Sequence, residues 1–203
     1  MNNWSPLIAG NVYVYGYENE PNTVHVSLNG VDSPNYSGNV VEPFRTLAYA
    51  CTRMQTVGGK IRLGEGTFVE TVQSELAPGV SVVGAGRDLT FVQGNNAGVG
   101  WRILNLESAG EATPGNQEIS GITFDGIALT AYWGIYVIRR SNVKIHHCRF
   151  IDILQTAVLF KGSAGAGEAG DYSEDNEFSD NNESSDVIAM DASYITERLK
   201  PKF

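Results

Sequence analysis

The sequence predicts an all-β chain wound as a parallel β-helix, with a single helix near its N-terminus. Three observations predict it. Charged residues are only 18% of the 203, while 23 are glycine, a composition that suits strands joined by tight turns. From Lys60 onward the chain is cut into apolar pieces too short for helices, separated by Gly and Asn. Two of these pieces also recur in phase, which points to a repeat architecture.

In chain order, residues 1–22 read as an extended lead-in, with strand composition at Val12-Tyr13-Val14-Tyr15 and a polar turn from Glu18 to Asn22. A strand follows at Thr23 to Leu28 and ends at Asn29-Gly30. A Gly/Pro/Asn/Ser loop then runs to about Asn39. The helix is placed at about Pro43 to Gln55, because Phe44, Leu47, Ala48, Cys51 and Met54 recur at helical spacing and Gly58-Gly59 stops it. Beyond it, strands are read at Lys60–Leu63, Gly66–Val69, Val80–Val83 and Thr90–Val92.

The repeat is clearest after residue 118. Ile119-Ser-Gly-Ile122-Thr-Phe124 aligns with Ile145-His-His-Cys148-Arg-Phe150 and then with Ser173-Glu-Asp-Asn176-Glu-Phe178, so phenylalanine recurs at intervals of 26 and 28 residues. A second strand recurs with it: Gly134-Ile-Tyr-Val137, Ala157-Val-Leu-Phe160 and Val187-Ile-Ala-Met190. About five coils are expected, with Gly162 to Gly170 as a loop leaving the stack. The domain boundaries that follow are a lead-in at 1–22 and one β-helix domain at 23–203. It consists of a cap at about 23–60, coils at about 60–192 and a tail at 193–203.

The N-terminal block carries a more specific likeness. Its words are Val24-His-Val-Ser-Leu-Asn-Gly, then Glu42-Pro-Phe-Arg-Thr-Leu-Ala-Tyr-Ala, then Gly59-Lys-Ile-Arg-Leu-Gly-Glu-Gly-Thr-Phe-Val-Glu, then Gly79-Val-Ser-Val-Val-Gly-Ala-Gly. This order resembles the strand-and-helix cap that opens proteins of the right-handed parallel β-helix, or pectate-lyase-like, superfamily, and the likeness extends over about residues 23–190. The resemblance implies a right-handed, single-stranded parallel β-helix. For function it implies a carbohydrate-active protein, either a polysaccharide lyase or glycoside hydrolase or the N-terminal part of one. The alternative is a non-catalytic structural or adhesive module, such as a phage tailspike or a cell-surface binder. Fold alone does not choose between them. Catalytic members usually stack more coils than this chain supplies. An open last coil exposes strand edges, so the expectation leans to a fragment or to an end covered by another chain, for instance in a homotrimer.

Charge narrows the partners. A net charge of −9 argues against nucleic acid, whose phosphates need clustered Lys and Arg, and against an anionic membrane surface. No apolar run reaches transmembrane length. The expected partner is a polysaccharide, and the expected location is extracellular or virion-associated, although the Met1-Asn2-Asn3-Trp4-Ser5-Pro6 start lacks the pattern of a secretory signal. Cys51 and Cys148 are expected to be buried thiols rather than a disulfide or zinc framework.

Candidate site residues follow from the repeat. If Ile145, Cys148 and Phe150 face inward, Lys144, His146 and Arg149 face outward. They would sit about 4.8 Å from the next coil, with Lys144 meeting Glu118, His146 meeting Glu174 and Arg149 meeting Glu177. A ladder of surface ion pairs is the leading reading, and a groove for an anionic or hydroxyl-rich chain, with His146 and Arg149 binding it, is the other. Asp125 and Asp152 close their coils, although not at equivalent positions. Paired carboxylates serve hydrolysis, whereas the lyases of the resembled family use carboxylate-held Ca²⁺ and a basic residue. On those two readings Asp125, Asp152, Arg139, Lys144 and also Arg140 are the catalytic candidates, with surface roles as the alternative for each. Tyr132 and Trp133, and separately Trp101, are candidate sugar-stacking platforms, with packing against a coil as their alternative. The acidic stretch between Gly162 and Glu197 has no Lys or Arg. It reads as solvated loop or as a Ca²⁺ site built on Asp171, Glu174 and Asp175. His146-His147-Cys148 suggests a metal, but strand alternation sends neighbours to opposite faces and disfavours it.

Overall fold

The computed structural model describes residues 21–55, 58–95, 100–110, 113–127 and 130–161, together with the strand segments 177–179, 182–183 and 188–190. These residues are mostly strand. After β1 (Thr23–Val26) and the helix α1 (Leu47–Met54) come β2 (Gly59–Leu63), β3 (Gly66–Glu70) and β4 (Ser74–Glu75). Next are β5 (Val80–Gly84), β6 (Thr90–Gly94) and β7 (Arg102–Glu107), then β8 (Thr113–Ser120), β9 (Thr123–Asp125) and β10 (Trp133–Ile138). The series continues with β11 (Arg140–His146), β12 (Arg149–Ile151) and β13 (Thr156–Lys161), and closes with β14 (Glu177–Ser179), β15 (Asn182–Glu183) and β16 (Ile188–Met190).

The strands form three parallel sheets. The first is ordered β1-β2-β5-β8-β11-β14, the second β3-β6-β9-β12-β15 and the third β4-β7-β10-β13-β16. From β2 onward, each strand is therefore in the same sheet as the strand three positions later, and five successive triplets each supply one strand to each sheet.

Register places like residues over like. In the first sheet Ile61, Val82, Ile119 and Ile145 form one row. In the second, Phe68, Val92, Phe124 and Phe150 form another. In the third, Leu104, Ile135 and Val158 align, as do Leu106, Val137 and Phe160. All of these side chains are buried and belong to one hydrophobic core fed by all three sheets. Burying such rows removes apolar surface at about 25 cal/mol per Å², and this supplies the drive to align them.

Helix α1 starts later than its apolar periodicity suggests. Phe44 lies outside it, bridged to Val26 beside β1. The N-cap is Thr46, whose hydroxyl accepts from the Tyr49 amide, and whose own amide and hydroxyl donate to the Asp32 carboxylate. The Glu70 carboxylate, buried at the end of β3, accepts the Leu47 and Ala48 amides at 2.8 and 3.0 Å. These are among the amide donors that a helix N-terminus leaves without an internal partner. Leu47, Ala50, Cys51 and Met54 face the core, and burial pushes the Cys51 thiol upward.

The last row follows a different register from the one the repeat predicts. The rows that place Ile119 on Ile145, Phe124 on Phe150 and Gly134-Ile-Tyr-Val137 on Ala157-Val-Leu-Phe160 stand. In the last row, however, Ile145 aligns with Phe178 and His146 with Ser179, while Arg149 aligns with Asn182. His146 thus does not meet Glu174, and Arg149 does not meet Glu177. Aligning on phenylalanine placed this segment five residues out, because Phe178 continues the Ile145 row of the first sheet rather than the Phe150 row of the second.

The Val12–Tyr15 strand, the Gly162–Gly170 loop and the 193–203 tail lie outside the described residues. Among those described, no helix is long and apolar enough to cross a membrane.

Candidate functional site

The predicted site residues are divided among the three sheets. Lys144 and His146 lie on β11 of the first sheet, with Lys144 in register with Glu118 as expected. Asp125 on β9 and Arg149 on β12 belong to the second sheet, and Trp133 opens β10 of the third. Tyr132 precedes β10, Arg139 follows it and Asp152 follows β12. Asp171, Glu174 and Asp175 lie outside the described residues.

Several of the candidates have local roles. The two carboxylate oxygens of Asp125 accept from the Gln93 side-chain amide and the Ile127 amide, each at 2.8 Å, which holds the turn after β9. Asp152 is exposed and has a positive φ of 52°. Its carbonyl lies so close to Gly126 that any side chain there would collide with it. Arg149 donates to Asp88 at 2.6 Å. Arg140 is buried at 1% exposure, so it is not the surface base the sequence suggested. Its guanidinium donates to Ser108 Oγ, the Leu76 and Glu107 carbonyls and Gln117 Oε1. Trp101 is a core residue packed over Gly94 rather than a platform.

The residues that do come together are on the third sheet. On β7, Ile103 and Leu104 are both buried in the core. Simple alternation therefore breaks there, and the side chains of Arg102 and Asn105 meet, with Arg102 Nη1 donating to Asn105 Oδ1 at 3.0 Å. Parallel register sets Arg102 beside Trp133 and Asn105 beside Tyr136. The Arg102 guanidinium lies 3.8 Å from the Tyr136 ring centroid and 5.7 Å from that of Trp133, within cation–π range. The Trp133 ring lies near those of Tyr136 and Tyr132, at centroid distances of 5.0 and 5.4 Å.

Acid and amide groups complete this face. Asn105 Nδ2 donates to Glu75 Oε2 at 2.7 Å, and Glu75 also accepts from Gln73. Glu107 pairs with Arg139 at 2.8 Å and with Arg102 at 3.6 Å. The Nε atoms of Arg102 and Arg139 are buried without an acceptor. Trp133, Tyr132 and Arg139 were legible as candidates. Arg102, Asn105, Glu75 and Glu107 were not, because the β4 and β7 rows are too irregular to align by their letters.

On the first sheet, His146 and His147 behave differently from the alternation rule. His147 has φ 54°, which brings its ring to that of His146, with the two Nδ1 atoms 2.7 Å apart. Cys148 alone turns inward, and burial pushes its thiol up to about 12. Among the described residues, no three His, Cys, Asp or Glu side chains converge as a metal ligand set.

No protein-family model matches the chain, and no curated protein does. Among solved structures, ORF18 of Geobacillus virus E2 is similar with a TM-score of 0.43 and 13% identity, over 77% of this chain and 31% of that one. The chain thus spans about a third of that protein's length.

Proposed function

We propose that the three parallel sheets are the faces of a right-handed parallel β-helix, and that the chain is a non-catalytic polysaccharide-binding module which receives its ligand on the outer face of the third sheet. The observation that carries the reading is the cluster in which Arg102 lies against Tyr136 and Trp133 within a run of hydrogen bonds and ion pairs through Glu75, Asn105, Glu107 and Arg139. Tyr136 is buried beneath Arg102, so the half-buried rings of Trp133 and Tyr132 are the ones that offer apolar faces to sugar C–H groups, and the carboxylates and guanidinia beside them match hydroxyls. This cluster holds two arginines and two glutamates, with both arginines paired to Glu107 and Glu75 held by Asn105 and Gln73, so its formal charges balance. That favours a neutral, hydroxyl-rich polysaccharide over a polyuronate. The dispersal of Asp125, Asp152, Arg139 and Lys144 over different sheets and turns supports binding rather than catalysis, since general acid–base chemistry needs its groups around one bond.

The test is affinity electrophoresis of the full chain through gels containing neutral or uronic polysaccharides, with parallel assays for reducing ends and unsaturated products. Retardation by a neutral polysaccharide is expected, weakened at least tenfold in Trp133→Ala and Arg102→Ala and unchanged in Lys144→Ala on the first sheet. Equal retardation of the Trp133 variant would place the ligand elsewhere. Product release by the wild-type chain would replace this reading with an enzymatic one.

A further inference from the structure

His146 and His147 stand apart from the polysaccharide reading, on a different sheet. Ser120 aligns with His146, and Thr123 with Arg149, so His147 occupies the position that Gly121 holds one row earlier. Both have left-handed backbone, at φ 68° for Gly121 and 54° for His147. Glycine adopts that conformation freely and histidine does not, yet the exposed His147 ring gains no core packing from it. What the turn achieves is to bring two imidazole Nδ1 atoms to 2.7 Å from each other. His146 is also oriented from its far side, since its Nε2 lies 3.2 Å from Glu118 Oε1, an oxygen that Ser120 Oγ holds by a 3.1 Å hydrogen bond. In the tautomer that carries its hydrogen on Nε2, the nitrogen beside Glu118, His146 presents the Nδ1 lone pair to His147.

A carboxylate that fixes one ring nitrogen of a histidine while the other faces a second donor is the arrangement by which proteins orient metal-binding imidazoles. We propose that His146 and His147 form a two-histidine site for a divalent first-row transition cation, with Glu118 as the residue that orients His146. The cation takes the place of the hydrogen between the two Nδ1 atoms. At metal–nitrogen distances of about 2.0–2.1 Å and tetrahedral angles, these atoms must separate to about 3.3 Å, a movement that the exposed His147 ring can make. Solvent supplies the remaining ligands. The buried Cys148 thiol is not among them, because it points into the core, where its Sγ lies 3.7 Å from the Ile119 carbonyl. Imidazole donors favour Cu²⁺, Ni²⁺ and Zn²⁺ over Mg²⁺ or Ca²⁺, with Cu²⁺ bound most tightly.

The test is calorimetric titration of the untagged full chain with Cu²⁺, Ni²⁺, Zn²⁺ and Ca²⁺ at neutral pH. It is paired with NMR of the histidine ring protons, which is tractable because the chain has three histidines. One transition cation per chain is expected, with no Ca²⁺ uptake at these residues and selective Ni²⁺ broadening of the His146 and His147 rings. His147→Gly restores the residue of the preceding row, so it keeps the fold and should abolish the site. Glu118→Gln should weaken binding roughly 10–100-fold, and His25→Ala should leave it unchanged. Absence of saturable binding in the wild-type chain, or binding that survives His147→Gly, would overturn the proposal.

Discussion

The ring of Phe150 lies on that of Phe124, with centroids 5.4 Å apart and planes 11° from parallel. The two residues are paired in register across β9 and β12 of the second sheet and are fully buried. Gly134 on β10 lies beside the same ring, and a β-carbon there would come within 3.0 Å of Phe150 Cδ1. The ring thus fills the space between two sheets. Phe150→Ala should cost about 3–5 kcal/mol, the usual loss for an emptied aromatic site, read as a lower urea midpoint with unchanged slope.

Arg140 is the polar counterpart of that packing. It gathers Leu76, Glu107, Ser108 and Gln117 from rows that are distant in sequence. Burial lowers its guanidinium to about 10, which leaves it charged at neutral pH. A lysine has one nitrogen to offer where the guanidinium has three, and each buried acceptor left unpaired costs about 1–3 kcal/mol. Arg140→Lys should therefore destabilise by at least about 2 kcal/mol, and Arg140→Met by more. Thermal unfolding of the two variants beside wild type checks the order.

The difference between these two residues explains what was legible in the sequence. Phe124 and Phe150 could be aligned because a core position in a repeat accepts few residue types, so the letters recur. Arg140 could not be placed, because its letter reads as surface and only the register of the rows reveals the carbonyls around it. Phe178 misled for a related reason: it is apolar in the right rhythm, but it occupies the first sheet. The β-rich class, the parallel rows and the outward side of Lys144, His146 and Arg149 all follow from alternation and period. The Arg102 cluster depends on a break in alternation at Ile103-Leu104, and the meeting of His146 with His147 depends on a backbone angle. Neither leaves a signal in a single sequence.

Glu70 makes a prediction about pH. Burial holds its carboxyl above the ordinary value of 4.5, although hydrogen bonds from Leu47 and Ala48 pull the other way. Between 4.5 and the raised value the folded state therefore binds more protons than the unfolded state, and stability from this group falls as pH rises through that window. The contribution is fully present below 4.5. Urea midpoints measured from neutral pH down to about that value should show wild type gaining on Glu70→Gln, whose amide does not titrate. Parallel curves for the two proteins would show that Glu70 titrates at its ordinary value.

Asp152 and Asp125 separate a turn-forming role from a ligand-binding one. Asp152 has left-handed backbone at φ 52°, where glycine is at ease and a side chain adds strain. Asp152→Gly should therefore leave stability unchanged or raise it by up to ~1 kcal/mol, with polysaccharide retardation intact. Asp125 differs, because both its oxygens accept hydrogen bonds that hold the following turn. Asp125→Asn keeps one acceptor oxygen and replaces the other with a donor, so it should lose about 0.5–1.5 kcal/mol, the net worth of one hydrogen bond, again without affecting retardation. Loss of polysaccharide retardation in both variants at unchanged stability would move the proposed ligand site from the third sheet to the second and overturn the binding role proposed for Trp133 and Arg102.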